Sequence, residues 1–196
     1  MIMKYLQVLE VQPGGWLLLA VIYFFLELDM FLIVLLCVLI HETGHLIMLD
    51  WFQIKVRRIN LDLTGLSIQF NEAKLQGIKG AITAAAGPSA GITAAVLGSF
   101  VGNAIENEQL LLFAGSNLAL SLFNLLPAKP LDGWRILYSI VPTVSYVLSI
   151  LTSVVVLALG VWLMFEGFGT ALALMGVLLL LQDAEMPKRS VRRGIC

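Results

Sequence analysis

The sequence predicts an all-α polytopic membrane protein of about six transmembrane helices, with a small cytosolic-side β-hairpin between helices 2 and 3. Three observations lead there. The chain is 59 % hydrophobic and 13 % charged, with mean hydropathy +0.93, whereas soluble domains average about 45–50 % apolar and about 25 % charged residues. Its apolar residues fall in sustained runs of membrane-spanning character. All of its Lys and Arg residues can be placed on one side of a bilayer. The 196 residues read as a single membrane-embedded domain, with a core at about 30–140, scaffold helices at 141–182 and a basic cytosolic tail at 183–196.

A span needs roughly 20 apolar residues, fewer where flanking residues snorkel. Six fit, at about 14–27, 30–49, 80–101, 109–126, 144–164 and 167–182. With the N-terminus in the cytosol, Lys4, Lys55, Arg57, Arg58, Lys74, Lys79, Lys129, Arg135, Lys188, Arg189, Arg192 and Arg193 all fall on the cytosolic side or at its interface. The exterior connections carry Glu27, Asp29, Glu106, Glu108 and Glu166 instead. Positive-inside bias sets orientation, so both termini are expected in the cytosol; the protein itself is expected to be a multi-pass protein of a prokaryotic cell membrane. No cleavable signal peptide is expected, because Trp16 to Phe25 has only Lys4 as upstream charge and no small-x-small site after it. A net charge of −1 gives no case for nucleic acid as a partner. Cys37 and Cys196 are too few and too far apart for a disulfide framework.

The second span contains His41-Glu42-Thr43-Gly44-His45. Ionisable groups at membrane depth cost at least ~2.5 kcal/mol each and usually mark a functional site facing the protein interior. Residues four apart stand one above the other on a helix, so His41 and His45 present two nitrogens to one point. Glu42, about 100° round from His41, can reach a water at that point. The pattern is H-E-x-x-H, two metal ligands and a general base. A chance match is disfavoured, since these are the chain's only two histidines. A structural zinc site would draw on several cysteines, which the chain lacks. Counting from Leu49 as the cytosolic end, His45 and His41 lie roughly 6 and 12 Å deep at 1.5 Å per residue. Water must enter from the cytosol.

A catalytic zinc takes three protein ligands and keeps a fourth position for water. Among acidic residues that could approach membrane depth, Asp132, framed by Leu131 and Trp134, is the best third ligand. Its setting between Pro127, Pro130 and Gly133 also reads as a plain loop corner. Ahead of it, Ile59, Leu61 and Leu63, then Leu66, Ile68 and Phe70, alternate with polar residues around Thr64-Gly65. That period of two predicts the hairpin, or else an amphipathic flap on the bilayer. An exposed edge at Leu66, Ile68 and Phe70 could pair with an extended substrate. Ala84 to Gly91 is rich in small residues for close helix packing, and Gly87-Pro88 predicts a break that frees carbonyls. Tyr138 to Gln182 holds no polar cluster and reads as scaffold, and the tail Lys188 to Arg193 as an orientation signal in contact with anionic lipid.

His41-Glu42-Thr43-Gly44-His45, Ala86-Gly87-Pro88 and the run from Asn124 to Pro130-Leu131-Asp132-Gly133, in that order, resemble the site-2 protease family of intramembrane zinc metalloproteases. The nearest likeness is to the compact branch that includes the sporulation pro-sigma-factor processing protease. The resemblance implies His41, His45 and Asp132 as ligands of one Zn2+ per chain, Glu42 as the catalytic glutamate, and Asn124 as a polar contact for substrate or its oxyanion. It implies hydrolysis of a peptide bond in or near a transmembrane segment of a substrate protein within the lipid bilayer. Six spans with no soluble sensor, for their part, suggest control by a membrane partner or by prior trimming of the substrate. Some members carry a second glycine where this chain has Trp134. The rival expectations are a membrane metal-ion transporter and an inactive relative that only binds helices.

Overall fold

The computed structural model describes residues 9–62, 65–70, 75 and 77–184. Thr64 of the expected turn, Asn71 at its far end, Lys4, Lys74 and the basic tail from residue 185 onward lie outside the described residues. The chain forms two compact units, residues 1–121 and 122–196.

In the first unit, β1 (Leu9–Val11) leads into α1 (Pro13–Phe25), α2 (Leu28–Trp51), β2 (Val56–Asp62), β3 (Gly65–Phe70), α3 (Ile78–Ala104) and α4 (Glu108–Asn124), whose last turn enters the second unit. Pro13 opens α1 at a position where its missing N–H has no intrahelical role. α2 ends in a Schellman-type turn. Gln53 adopts a left-handed φ of 56°, and the Ile54 N–H donates to the Leu49 carbonyl at 2.8 Å. The apolar contact that accompanies this motif is present, since Leu49 and Ile54 share a buried cluster with Leu75. The chain is thereby turned toward β2, whose first residue Val56 follows the end of α2 at Trp51 by five positions.

The expected hairpin supplies two strands of a three-stranded sheet, in the order β1-β2-β3. β2 and β3 are antiparallel, with Ile59 opposite Ile68 and Leu61 opposite Leu66, and β1 adds in parallel with Leu9 opposite Ile59. Ile68 and Phe70 pack against the Leu49 cluster, so the sheet is anchored to the end of α2. The third strand and this anchor support the hairpin, because two strands alone are marginal in water. Among the described residues, β3 pairs only with β2.

α2 and α3 pack along a face of small residues. The Gly87-Pro88 break is not present: α3 runs through Pro88 without interruption, as membrane helices can when neighbours satisfy the released backbone groups. α2, α3 and α6 (Pro142–Phe165) are long and apolar enough to cross a membrane. The other three expected spans are shorter helices: α1 of 13 residues, α4 of 17, and α7 (Ala171–Ala184) of 14. At 1.5 Å per residue α1 is about 20 Å long, so it matches the hydrocarbon thickness only with local thinning or snorkelling. Outward positions are apolar, Phe24, Phe100 and Phe165 among them.

The second unit contains the turn after Asn124, α5 (Asp132–Ile140), α6 and α7. Ala128 is fully buried against Val156 and Leu179, with Leu126 and Leu131 packed around them. α6 and α7 make a tight hairpin, because Gly160 lies against Ala173 and Gly176 against Leu157 with no room for a Cβ. The expectation of a purely apolar scaffold here is corrected. Ser145, Ser149 and Ser153 form a buried line on α6, and two of them donate to Asp183 on α7.

Candidate metal centre

His41 and His45 are buried, 5 % and 6 % exposed. Their Nε2 atoms face each other at 3.3 Å, with the rings nearly perpendicular at 77°. His45 Nδ1 lies 2.8 Å from the Thr83 carbonyl. A carbonyl only accepts, so Nδ1 carries the proton and Nε2 presents its lone pair, the arrangement found behind metal-bound histidines.

Two close approaches of α3 make this possible. Gly44 sits against the Ala86 backbone, which brings the helices together at the histidine turn. At Gly87 a Cβ would run into Nε2 of both His45 and His41. The glycine leaves a hollow directly beside the two nitrogens. Two nitrogens each about 2.0–2.1 Å from a single tetrahedral zinc lie about 3.3–3.4 Å apart, so the observed pair fits the metal. Glu42 follows His41 on α2 and is half-buried.

Asp132 is the first residue of α5 and is 5 % exposed. It was expected on a loop, but stands at a helix N-terminus, whose unsatisfied N–H groups favour a carboxylate. Gly133 is obligatory for this start, because a Cβ there would meet the Leu125 and Leu126 carbonyls. Gly133→Ala should therefore displace the start of α5 and lower Tm, read by thermal unfolding. His41 and His45 in the first unit and Asp132 in the second are each buried.

The fold has a solved counterpart in the Site-2 Protease from Methanocaldococcus jannaschii, with a TM-score of 0.68 at 21 % sequence identity over 90 % of this chain and 89 % of that one. The chain has the fold of a site-2 protease. No protein-family model matches the sequence, and no curated protein sequence does either.

Within this site-2 protease fold, Asn124 is the half-buried last residue of α4. Leu66, Ile68 and Phe70 are on β3, where Ile68 and Phe70 turn their side chains into the Leu49 cluster, so any pairing with another chain would use their backbone. Trp134, in the place of a second glycine, stacks on Tyr138 at 4.8 Å and lies beneath the Lys129 amine at 4.4 Å. Sequence reasoning missed Thr83, which acts through a backbone oxygen that every residue has. It also missed Asp183 and its serines, although their spacing of four on an apolar helix was a readable signal.

Proposed function

We propose that this chain is an intramembrane zinc endopeptidase that hydrolyses a peptide bond in or near a transmembrane segment of a membrane protein. The observation that carries the reading is the pair of buried Nε2 atoms 3.3 Å apart, one residue from a half-buried glutamate. His41, His45 and Asp132 are the zinc ligands. When bound, zinc supplies Lewis-acid polarisation of a carbonyl and lowers the pKa of water toward ~7.

Glu42 takes the proton of the attacking water and delivers it to the leaving amine, first a base and then an acid. The Thr83 carbonyl holds His45 in the tautomer that offers Nε2. Asn124 contacts the substrate backbone or the oxyanion. A helix hides its carbonyls in its own hydrogen bonds, so the scissile segment must be extended. The side of β3 from Leu66 to Phe70 that pairs with no other strand among the described residues gives it a strand to lie against. The chain crosses the cell membrane six times with both termini in the cytosol, α1, α4 and α7 completing the set. The apolar surround excludes bulk water, and substrate access is governed by a membrane partner or by earlier trimming.

The test is cleavage of a membrane-tethered reporter by the purified chain in liposomes. Chelation should abolish cleavage and zinc restore it. Cleavage indifferent to chelation would overturn the reading, as would zinc flux into the liposomes without any peptide product. Asp132→Ala should weaken zinc binding more than the about 10–100-fold lost with a partner behind a ligand. Unchanged zinc affinity, measured by competition with a chromophoric chelator, would remove Asp132 from the ligand set.

A further inference from the structure

The turn that delivers Asp132 is tied to the α6–α7 hairpin by a continuous set of hydrogen bonds. The Lys129 backbone N–H donates to Ser149 Oγ at 2.9 Å. Ser149 in turn donates to Asp183 Oδ1 at 2.6 Å, and Ser153 donates to Asp183 Oδ2 at 2.8 Å. Both serines are fully buried. Each carboxylate oxygen thus receives one hydroxyl, and the hydroxyl of Ser149, its proton committed to Asp183, offers a lone pair to Lys129. Bonds to an ionised acceptor are roughly twice as strong as neutral ones.

Other contacts converge on the same turn. Ala128 is sealed against Val156 and Leu179, and the Lys129 amine lies over the rings of Trp134 and Tyr146 at 4.4 and 5.3 Å. Burial lowers the Lys129 pKa, and the charge of Asp183 opposes that shift. A hairpin that only needed to pack would gain nothing from a carboxylate in the last turn of α7, where the helix dipole disfavours negative charge. The carboxylate is placed where it orders a backbone N–H three residues before the metal-ligand candidate.

We propose that Asp183 is a positioning residue for Asp132: through Ser149 it fixes the Lys129 amide, and with it the segment 125–131 that sets the start of α5. This rests on the reading of Asp132 as a zinc ligand. Two measurements on the full chain in detergent separate the proposal from that reading. The first, hydrogen exchange of segment 125–131 in metal-stripped protein, needs neither zinc nor activity. Asp183→Ala and Ser149→Ala should both accelerate it, and Ser153→Ala, which leaves the Lys129 bond in place, should do so less. Asp183→Glu should restore part of the protection. The second is zinc affinity, expected to fall about 10–100-fold in Asp183→Ala and Ser149→Ala, as for other partners behind a metal ligand.

Should Asp183→Ala fail to fold, the contrast between Ser149→Ala and Ser153→Ala decides alone. Equal exchange in those two variants, or no acceleration in Ser149→Ala, would overturn the proposal. So would zinc binding weakened by Asp132→Ala but untouched by Ser149→Ala. If Asp132→Ala itself leaves zinc affinity unchanged, the ligand reading has failed and the positioning role falls with it.

Discussion

Glu42→Gln is expected to keep its zinc and to lose about 10²–10⁴-fold in peptide hydrolysis, the range supplied by a positioned general base. The amide has nearly the shape of the carboxylate but cannot take a proton from water. Glu42 is half-buried, with a buried histidine on either side of it along the helix, so the exchange asks little of packing. The measurement pairs turnover of a membrane-tethered reporter with metal analysis of the same preparation. Lost turnover with zinc retained assigns Glu42 to the chemical step, and full activity would remove it from the mechanism. Comparing membrane-protein fragments from cells carrying either form would then expose the substrate.

Gly87→Ala is the second large effect, and it is expected to act on the metal. Its methyl group would enter the hollow beside Nε2 of His41 and His45 and push the imidazoles off their common point. Zinc affinity should fall by more than the about 10–100-fold typical of disturbing a partner behind a ligand. The same change in a helix interior ordinarily favours the helix by roughly 1 kcal/mol, so weakened binding would not come from poor helix formation. Gly115→Ala on α4 is the control, since a Cβ there meets nothing within 4 Å. It should leave zinc affinity unchanged, and Gly87→Ala matching it would contradict the hollow.

The parts of the site legible in the sequence were those carried by side chains of rare type. Two histidines in an apolar run, with a glutamate beside the first, declare both their spacing and their shared face. The alternation from Ile59 to Phe70 declared two strands for the same reason, a period of two read over many residues. β1 was not legible because its three residues show no period, and only β2 gives them an edge. Pro88 was misleading because its local rule holds for an isolated helix, whereas here α2 packs alongside. Asp132 read as part of a loop because Pro127 and Pro130 precede it, yet Leu131 ends the irregular stretch as the N-cap and an acid in the first turn is a common way to begin a helix. Ser145, Ser149 and Ser153 carried a visible signal, a polar line at helical spacing, that only their contact with Asp183 turns into meaning.

Because the oxygen facing His45 Nδ1 belongs to the Thr83 main chain, a survey that trims side chains one at a time would pass over position 83 in silence. The histidine's companion is specified instead by how near one helix axis runs to another, a quantity held by the missing methyl groups at Gly44 and Gly87. Widening that gap by a single carbon at Gly44 should therefore disturb His45 as surely as altering the imidazole, while the oxygen atom itself stays in the chain.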